Sequence, residues 1–115
     1  MHTRSTHRFQ VLDTSISAIE SLRPLVERIR RHDRDLADQL RRAAASVALN
    51  IAEGNNSQDG NRIARFSSAA GSNAESRAAL RVAAAWGYVS PDEAAQADAL
   101  LDRVAAMLHR LGAKR

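Results

Sequence analysis

The 115-residue sequence has no cysteine, two prolines and few aromatic residues, namely two phenylalanines, one tryptophan and one tyrosine. Without cysteine the chain forms neither disulfides nor thiolate metal sites. With so few aromatic rings there are few platforms on which nucleic-acid bases can stack. No apolar run reaches the ~20 residues of a membrane-spanning helix, and none follows the basic N-terminal residues as a signal peptide requires. The sequence therefore predicts a cytoplasmic protein with no membrane contact.

The residues that are abundant are small apolar ones and arginine. Hydrophobic residues make up 44% of the chain, and many are alanines, which favour closely packed helices. The net charge is +4, and every basic residue except Lys114 is an arginine. Two interpretations of the arginine content stay open: the codon bias of a GC-rich genome, or a positive face that binds phosphate, which arginine contacts in bidentate fashion.

Apolar residues spaced three or four apart predict four helices, at about residues 9–31, 33–53, 61–86 and 91–111. The first helix has an apolar seam formed by Phe9, Leu12, Ile16, Ile19, Leu22, Val26 and Ile29. Residues 1–8 lack periodicity and read as a flexible basic tail, and residues 113–115 read as a basic C-terminal end. Short connections favour antiparallel neighbours. The predicted fold is all-α, an up-down-up-down four-helix bundle over residues 9–112.

Specific residues mark the ends of these helices. Asp33 is a suitable N-cap for the second helix, and Gly54 is suited to the left-handed conformation after its end. Ser90, Pro91 and Glu93 supply the serine, the first-turn proline and the glutamate of a capping box for the fourth helix.

The second helix is apolar on both sides. One side carries Leu36, Leu40, Ala43, Ala44, Val47 and Ile51, and the opposite side carries Ala45, Leu49 and Ala52. A helix that is apolar on both sides is usually covered on both sides. The first side fits the chain's own core, and we expect Ala45, Leu49 and Ala52 to form the interface of a homo-oligomer.

Residues 39–54, which read QLRRAAASVALNIAEG, resemble a known family. Further matches are Arg65-Phe66, AGSNAE at 70–75, Leu80 and WGYV at 86–89. The family comprises small four-helix-bundle proteins encoded in intervening sequences of bacterial 23S ribosomal RNA genes. The resemblance implies a homo-oligomer, pentameric in some relatives, without catalytic activity. It also implies kinship with accessory proteins that work beside reverse transcriptases in diversity-generating retroelements.

The polar residues most typical of that family are Asn50, Glu53, Gly54, Ser72 and Glu75. We interpret them as structural residues that tie helix ends and loop together rather than as a ligand site. Relatives carry apolar residues at the positions of Asn73 and Ser76. Of two interpretations, a buried polar pair that fixes register or a rotated helix whose polar groups reach water, the second is favoured.

Catalytic and metal-binding patterns are weak. A carboxylate-bridged metal in a bundle needs Glu-x-x-His pairs, and none accompanies Glu53 or Glu75. The four histidines lack metal-ligand spacing: His2, His7, His32 and His109. No phosphate-binding glycine loop or nucleophile motif is present. We therefore expect neither an enzyme nor a cofactor.

The leading functional hypothesis is weakly sequence-specific binding of RNA or DNA through arginine. The candidate phosphate-binding residues are Arg30, Arg31, Arg34, Arg41, Arg42, Arg62 and Arg65. The competing view is that these arginines are solvated or paired with acidic residues along the helices. The alternative function is a protein-interaction scaffold that docks a partner such as a reverse transcriptase and has no intrinsic role with nucleic acid.

Overall fold

Helices with short connections make up almost all of the chain that the computed structural model describes, residues 3–114, with side chains described from residue 7. The helices are α1 (Thr3–Arg30), α2 (Arg34–Asn55), α3 (Asp59–Ala85) and α4 (Pro91–Arg110). They form a four-helix bundle of 44 × 22 × 20 Å in which α1 packs on α2, α2 on α3, α3 on α4 and α4 back on α1. In this described part there is no strand, and none of its helices has the length and apolar character needed to cross a membrane.

Two helix starts agree with the caps read from the sequence. The Asp33 carboxylate accepts from the Leu36 N–H at 3.0 Å, so α2 begins as predicted. At α4, the Ser90 hydroxyl accepts from the Glu93 N–H at 3.1 Å, and the Glu93 carboxylate accepts from the Ser90 N–H at 2.9 Å. This reciprocal pair is a complete capping box with Pro91 at the first helical position.

The first helix begins earlier than predicted. It starts at Thr3 rather than at Phe9, so residues 3–8 are helical and not a separate tail, while Met1 and His2 lie outside the described residues. At the end of this added segment, the Asn55 side-chain amide of α2 donates to the Arg8 carbonyl at 3.2 Å and so connects α1 to the end of α2. At the other terminus, the Lys114 N–H donates to the Ser67 hydroxyl at 2.8 Å and Ala113 is buried.

Gly54 does not end the second helix, which corrects the prediction made from the sequence. It lies inside α2, which continues to Asn55, and its φ is not positive. A Cβ atom on Gly54 would lie 2.5 Å from Cε1 of Phe66, closer than real contacts allow. Glycine is therefore required here for the close approach of α3, and the connection to α3 is only residues 56–58.

The buried face of α1 matches the predicted seam at Leu22, Val26 and Ile29 and departs from it nearer the N-terminus. Its buried apolar residues are Val11, Ala18, Leu22, Leu25, Val26 and Ile29. Phe9 and Ile16, assigned to the core from the sequence, are 58% and 45% exposed. Both stripes have helical spacing, so spacing within α1 did not decide which one faces the other helices. In α4, by contrast, the apolar residues spaced three or four apart are buried at Ala97, Leu101, Val104 and Leu108, and half-buried at the two ends, Ala94 and Leu111.

The apolar core consists of two clusters. One cluster joins the second halves of α1 and α3 to the first halves of α2 and α4, and we call this part of the bundle the turn half because the turns at residues 31–33 and 86–90 flank it. The other, the terminal half, contains Val11, Val47, Ile51, Phe66, Ala69, Val104, Leu108 and Ala113.

Buried polar side chains lie between the two clusters along the chain. Ser15, Asn73 and Ser76 are at most 2% exposed, which overturns the expectation that Asn73 and Ser76 reach water. The Asn73 side-chain amide donates to the Leu101 carbonyl of α4 at 2.8 Å, while its Oδ1 has no partner among the described atoms. A polar layer therefore interrupts the core at the middle of the bundle.

Candidate functional site

Three of the seven candidate arginines are engaged within the chain. Arg30 pairs with Asp38 at 2.7 Å, and Arg65 pairs with Glu53 at 3.1 Å. Arg62 donates from Nε to the Gly54 carbonyl at 3.1 Å and from Nη2 to the Ser57 carbonyl at 2.5 Å. These side chains connect neighbouring helices or hold the α2–α3 connection, so much of their hydrogen-bonding capacity is used internally.

The other four candidates point outward around the start of α2. Arg31, Arg34, Arg41 and Arg42 are exposed, and within the described part of the chain none of them forms an ion pair. Among the described residues, the one hydrogen bond from a guanidinium of this group is long, 3.4 Å from Arg42 Nε to the Asp38 carbonyl. At 100° per residue, Arg34, Arg41 and Arg42 lie on the same outward side of α2. The structure therefore groups these four and separates them from the three engaged arginines.

Arg30 and other arginines around the start of α2 lower the pKa of the neighbouring Asp38 carboxyl group. The Arg30 guanidinium, which hydrogen-bonds to the Asp38 carboxylate, lowers the pKa of that carboxyl, and Arg41 and Arg42 add smaller attractive contributions. Asp38 is thus held in its charged form and neutralises Arg30. Because Asp38 already has Arg30 as its partner, it does not remove the positive charge of the arginines that follow it on α2.

Of the polar residues typical of the family, most make contacts within the bundle and one, Glu75, is exposed to solvent. The Ser46 and Ser72 hydroxyls are 2.8 Å apart and connect α2 to α3, and the Asn50 amide donates to the Ser46 carbonyl and hydroxyl at 2.9 and 3.0 Å. Glu53 pairs with Arg65. Glu75 is exposed, and the described residues offer it no ion pair. Ser72, Glu53 and Gly54 thus make contacts between α2 and α3, whereas Asn50 bonds within α2 to the Ser46 that reaches Ser72.

The apolar side of α2 predicted as an interface is open in the single chain. Leu49 is 65% exposed, and Ala45 and Ala52 on the same side are half-buried. The exposed Phe9 and Ile16 of α1 belong to the helix that packs beside α2 and were missed as surface residues. The signal available in the sequence was Val11 and Ala18, which with Leu22 of the predicted seam form a buried stripe that needs neither Phe9 nor Ile16.

A stack of aromatic rings lies at the turn half and was not predicted. The Tyr88 ring lies 4.9 Å from the His32 ring, with an interplanar angle of 3°, and 6.4 Å from the Trp86 ring. Trp86 is 70% exposed. The stack connects the turn between α1 and α2 to the turn between α3 and α4, an arrangement that local sequence patterns do not encode.

The comparisons with known proteins agree with this architecture. The family model described as 23S rRNA-intervening sequence protein matches residues 8–110. The chain belongs to this family. Its fold is similar to the crystal structure of a protein with unknown function from the S23 ribosomal protein family from Bacteroides thetaiotaomicron VPI-5482, with a TM-score of 0.82. The two are 16% identical over 90% of this chain and 99% of that one, so the likeness concerns the fold. Comparison with curated proteins gave no match.

Family membership and the four-helix fold confirm the resemblance read from the sequence. In the described part of the chain, no three side chains of histidine, aspartate or glutamate cluster closely enough to hold a metal ion.

Proposed function

We propose that this protein is a non-enzymatic, cytoplasmic, homo-oligomeric bundle that binds RNA or DNA with weak sequence specificity. The observation that supports nucleic-acid binding best is the group of outward arginines Arg31, Arg34, Arg41 and Arg42, none of which is ion-paired within the described residues. Guanidinium groups bind phosphate in bidentate fashion and carry no sequence information when they contact only the backbone. Exposed and unpaired arginines fit that task better than internally engaged ones.

Assembly would strengthen this binding. With a charge of only +4 per chain, a single copy presents a modest field, and several copies on one strand add avidity without any new contact. We propose an up-down-up-down bundle, because its connections are short, that assembles as a homo-oligomer, with five copies as the expected number.

The test is fluorescence anisotropy of labelled structured RNA and duplex DNA titrated with the full chain at 50 to 200 mM salt. We expect the observed affinity to fall steeply with salt, since phosphate contacts release counterions. The double variant Arg41→Ala/Arg42→Ala should bind more weakly, with a salt slope lower by about two. Arg23→Ala, another exposed arginine, on α1 and outside the candidate set, is the control. The absence of binding by the parent at 50 mM salt would reject the proposal.

A second candidate function, a protein-interaction scaffold, is favoured by the exposed Phe9, Ile16 and Leu49. Large apolar side chains on adjacent helices are typical of surfaces that another protein covers. In this alternative the covering chain is another copy, and the assembly docks a partner such as a reverse transcriptase without binding nucleic acid itself.

The variant Leu49→Glu tests the apolar surface. A charge buried against an apolar partner is strongly unfavourable, so we expect the assembled mass of the parent to fall to that of the monomer. Val82→Glu, at an apolar position of α3 that is 43% exposed, is the matched control. The measurement is light scattering after size-exclusion chromatography. An unchanged assembled mass in Leu49→Glu would contradict the assigned interface.

A further inference from the structure

A basic cleft lies in the terminal half, away from the arginines at the start of α2. It has a volume of about 720 Å³ and is formed by the beginning of α1, the beginning of α3 and the end of α4. Its polar lining comes from His7 and Arg8 of α1, Arg62 of α3 and Arg110 of α4. Only Arg62 among them belongs to the candidates chosen from the sequence. The cleft therefore brings together basic side chains that are distant along the chain.

Among the described residues that line the cleft, the side chains are basic or apolar and none is acidic. Its remaining lining residues are Ile63, Phe66, Leu111 and Gly112. Of the acidic side chains nearby in the sequence, Glu53 is paired with Arg65, and Asp59 is exposed at the first residue of α3. Concave surfaces lined by charge of one sign concentrate ligands of the opposite charge. An anion entering this cleft meets basic groups from three helices.

Arg62 is held in position for such a ligand. Its Nε and Nη2 atoms donate to the Gly54 and Ser57 carbonyls, and these bonds leave Nη1 available. A guanidinium that is already fixed loses little side-chain entropy when it binds. Arg110, in the last turn of α4, is exposed and has no ion pair within the described part of the chain. One fixed and one unpaired guanidinium thus border the same cleft.

The apolar lining makes the cleft suited to more than an inorganic ion. Ile63 is 38% exposed and Leu111 is half-buried, while Phe66 is fully buried beneath them. Pockets of 300 to 1,000 Å³ hold ligands of roughly nucleotide size or larger, with apolar walls and a few polar groups that fix orientation. A sugar or base can pack on Ile63 and Leu111 while its phosphate contacts the arginines.

We infer that this cleft binds the phosphate of a nucleotide unit, with the sugar or base against its apolar wall. The inference rests on the proposed function, because it names a further site on the same nucleic-acid-binding protein. The shared chemistry is a phosphate ester, which is present both in a polynucleotide strand and in a free mononucleotide.

The experiment measures anisotropy of a fluorescein-labelled single-stranded 12-mer with the full chain at 50 to 200 mM salt. We expect Arg110→Ala to weaken binding about five- to tenfold at the lowest salt and to reduce the salt slope by about one. His7→Ala, on a different helix, should weaken binding in the same direction. Arg103→Ala is the matched control: it removes the same charge from an exposed position of α4 that does not line the cleft.

Competition with adenosine monophosphate identifies the source of the phosphate. Displacement of the 12-mer from the parent, and weaker displacement from Arg110→Ala, would support the cleft as a mononucleotide site. Binding of the 12-mer that depends on Arg110 but resists the mononucleotide would support the cleft as a site for an internal phosphodiester.

Two failures are distinguishable. If the parent binds no nucleic acid at 50 mM salt, the proposed function is wrong, and the inference that the cleft binds a nucleotide phosphate fails with it. If the parent binds and Arg41→Ala/Arg42→Ala weakens binding, while Arg110→Ala and His7→Ala behave like Arg103→Ala, the cleft inference alone is overturned.

Discussion

In the turn half, ion pairs join neighbouring helices: Arg28 contacts Glu93 at 2.5 Å and Arg30 contacts Asp38 at 2.7 Å. The terminal half has one such pair, Arg65 with Glu53 at 3.1 Å, but Arg110 has no ion pair within the described residues. Arg62 donates to backbone carbonyls instead of to a carboxylate. A charge that already has an opposite charge beside it attracts a ligand less. The turn half thus has ion pairs between helices as well as the outward arginines of α2, whereas Arg62 and Arg110 border the basic cleft of the terminal half without an ion pair among the described residues.

The helix ends of the two halves differ in the same way. Both N-termini in the turn half, those of α2 and α4, have side-chain caps. In the terminal half α3 begins without one, since Gln58 makes no capping hydrogen bond, and Asp59 has a φ of +49°. Positive φ is unfavourable for a residue other than glycine and persists where the surrounding structure holds it. The terminal half is therefore specified more by contacts between helices than by local signals.

The largest change that we expect in the terminal half comes from Gly54→Ala. The new methyl group would lie 2.5 Å from Cε1 and 2.7 Å from Cδ1 of the fully buried Phe66, so α2 and α3 would have to separate. We expect the free energy of unfolding to fall by about 1–2 kcal/mol, because overpacking outweighs the gain in helix propensity. Denaturant unfolding followed by circular dichroism measures this.

Gly60→Ala is the matched control, since Gly60 also lies in a helix but has open space around it. It should raise the free energy of unfolding by at most about 0.5 kcal/mol, because Gly60 lies in the first turn of α3 and not in the helix interior. If both variants stabilise the protein equally, the close packing of Gly54 on Phe66 is not what requires glycine.

A smaller effect is expected from Asn73→Leu, which would make the two apolar clusters more continuous. Asn73 is 1% exposed and its Oδ1 lacks a partner among the described atoms, a situation that costs about 1–3 kcal/mol. The groove beside it, between α3 and α4, has a volume of about 720 Å³ and can accept the larger side chain. We expect a net gain of about 1 kcal/mol in the free energy of unfolding. The control is Ser76→Ala, which removes only a hydrogen bond within α3 and should leave the free energy of unfolding nearly unchanged. A lower free energy of unfolding in Asn73→Leu would mean that the Asn73 amide stabilises the fold.

The smallest effect that we expect is on the pH dependence of the melting temperature, and it tests whether the Arg28–Glu93 ion pair stabilises the turn half. Hydrogen bonds from Arg28 and from the Ser90 backbone lower the pKa of Glu93 from 4.5 to about 2. Because the folded pKa is depressed, this contribution to stability is fully present above pH 4.5 and is lost as the pH falls towards 2. The melting temperature of the parent should therefore decline across this window, and that of Glu93→Gln should decline less.

Asp38 contributes to the same decline, since its pKa is lowered by Arg30, so Glu93→Gln removes only part of it. Asp92→Asn is the control, because Asp92 is an exposed neighbour without an ion pair among the described side chains. Equal pH dependence in the two variants would show that the Arg28–Glu93 pair does not stabilise the turn half.

Local signals determined what could be read from the sequence about this fold. The Asp33 cap, the capping box at Ser90 and Glu93, and the apolar stripe of α4 each depend on residues within one or two helical turns, and each appears in the structure. The number of helices and the family followed from the same kind of local information. Outward arginines on α2 were also predictable, because helical spacing alone places them on one side.

The spacing of apolar residues along a helix does not determine which side of that helix faces its neighbours; the tertiary structure decided this. α1 has two apolar stripes, and only packing against α2 and α4 buries Val11 and leaves Phe9 in solvent. Asn73 is buried because α3 packs with that side towards the core and α4 supplies a carbonyl as partner. The basic cleft requires α1, α3 and α4 to meet, so His7, Arg62 and Arg110 become neighbours only in the folded bundle. A sequence pattern encodes the sides of one helix, whereas the rotation of helices about their axes and the sites between them are set by packing of the whole chain.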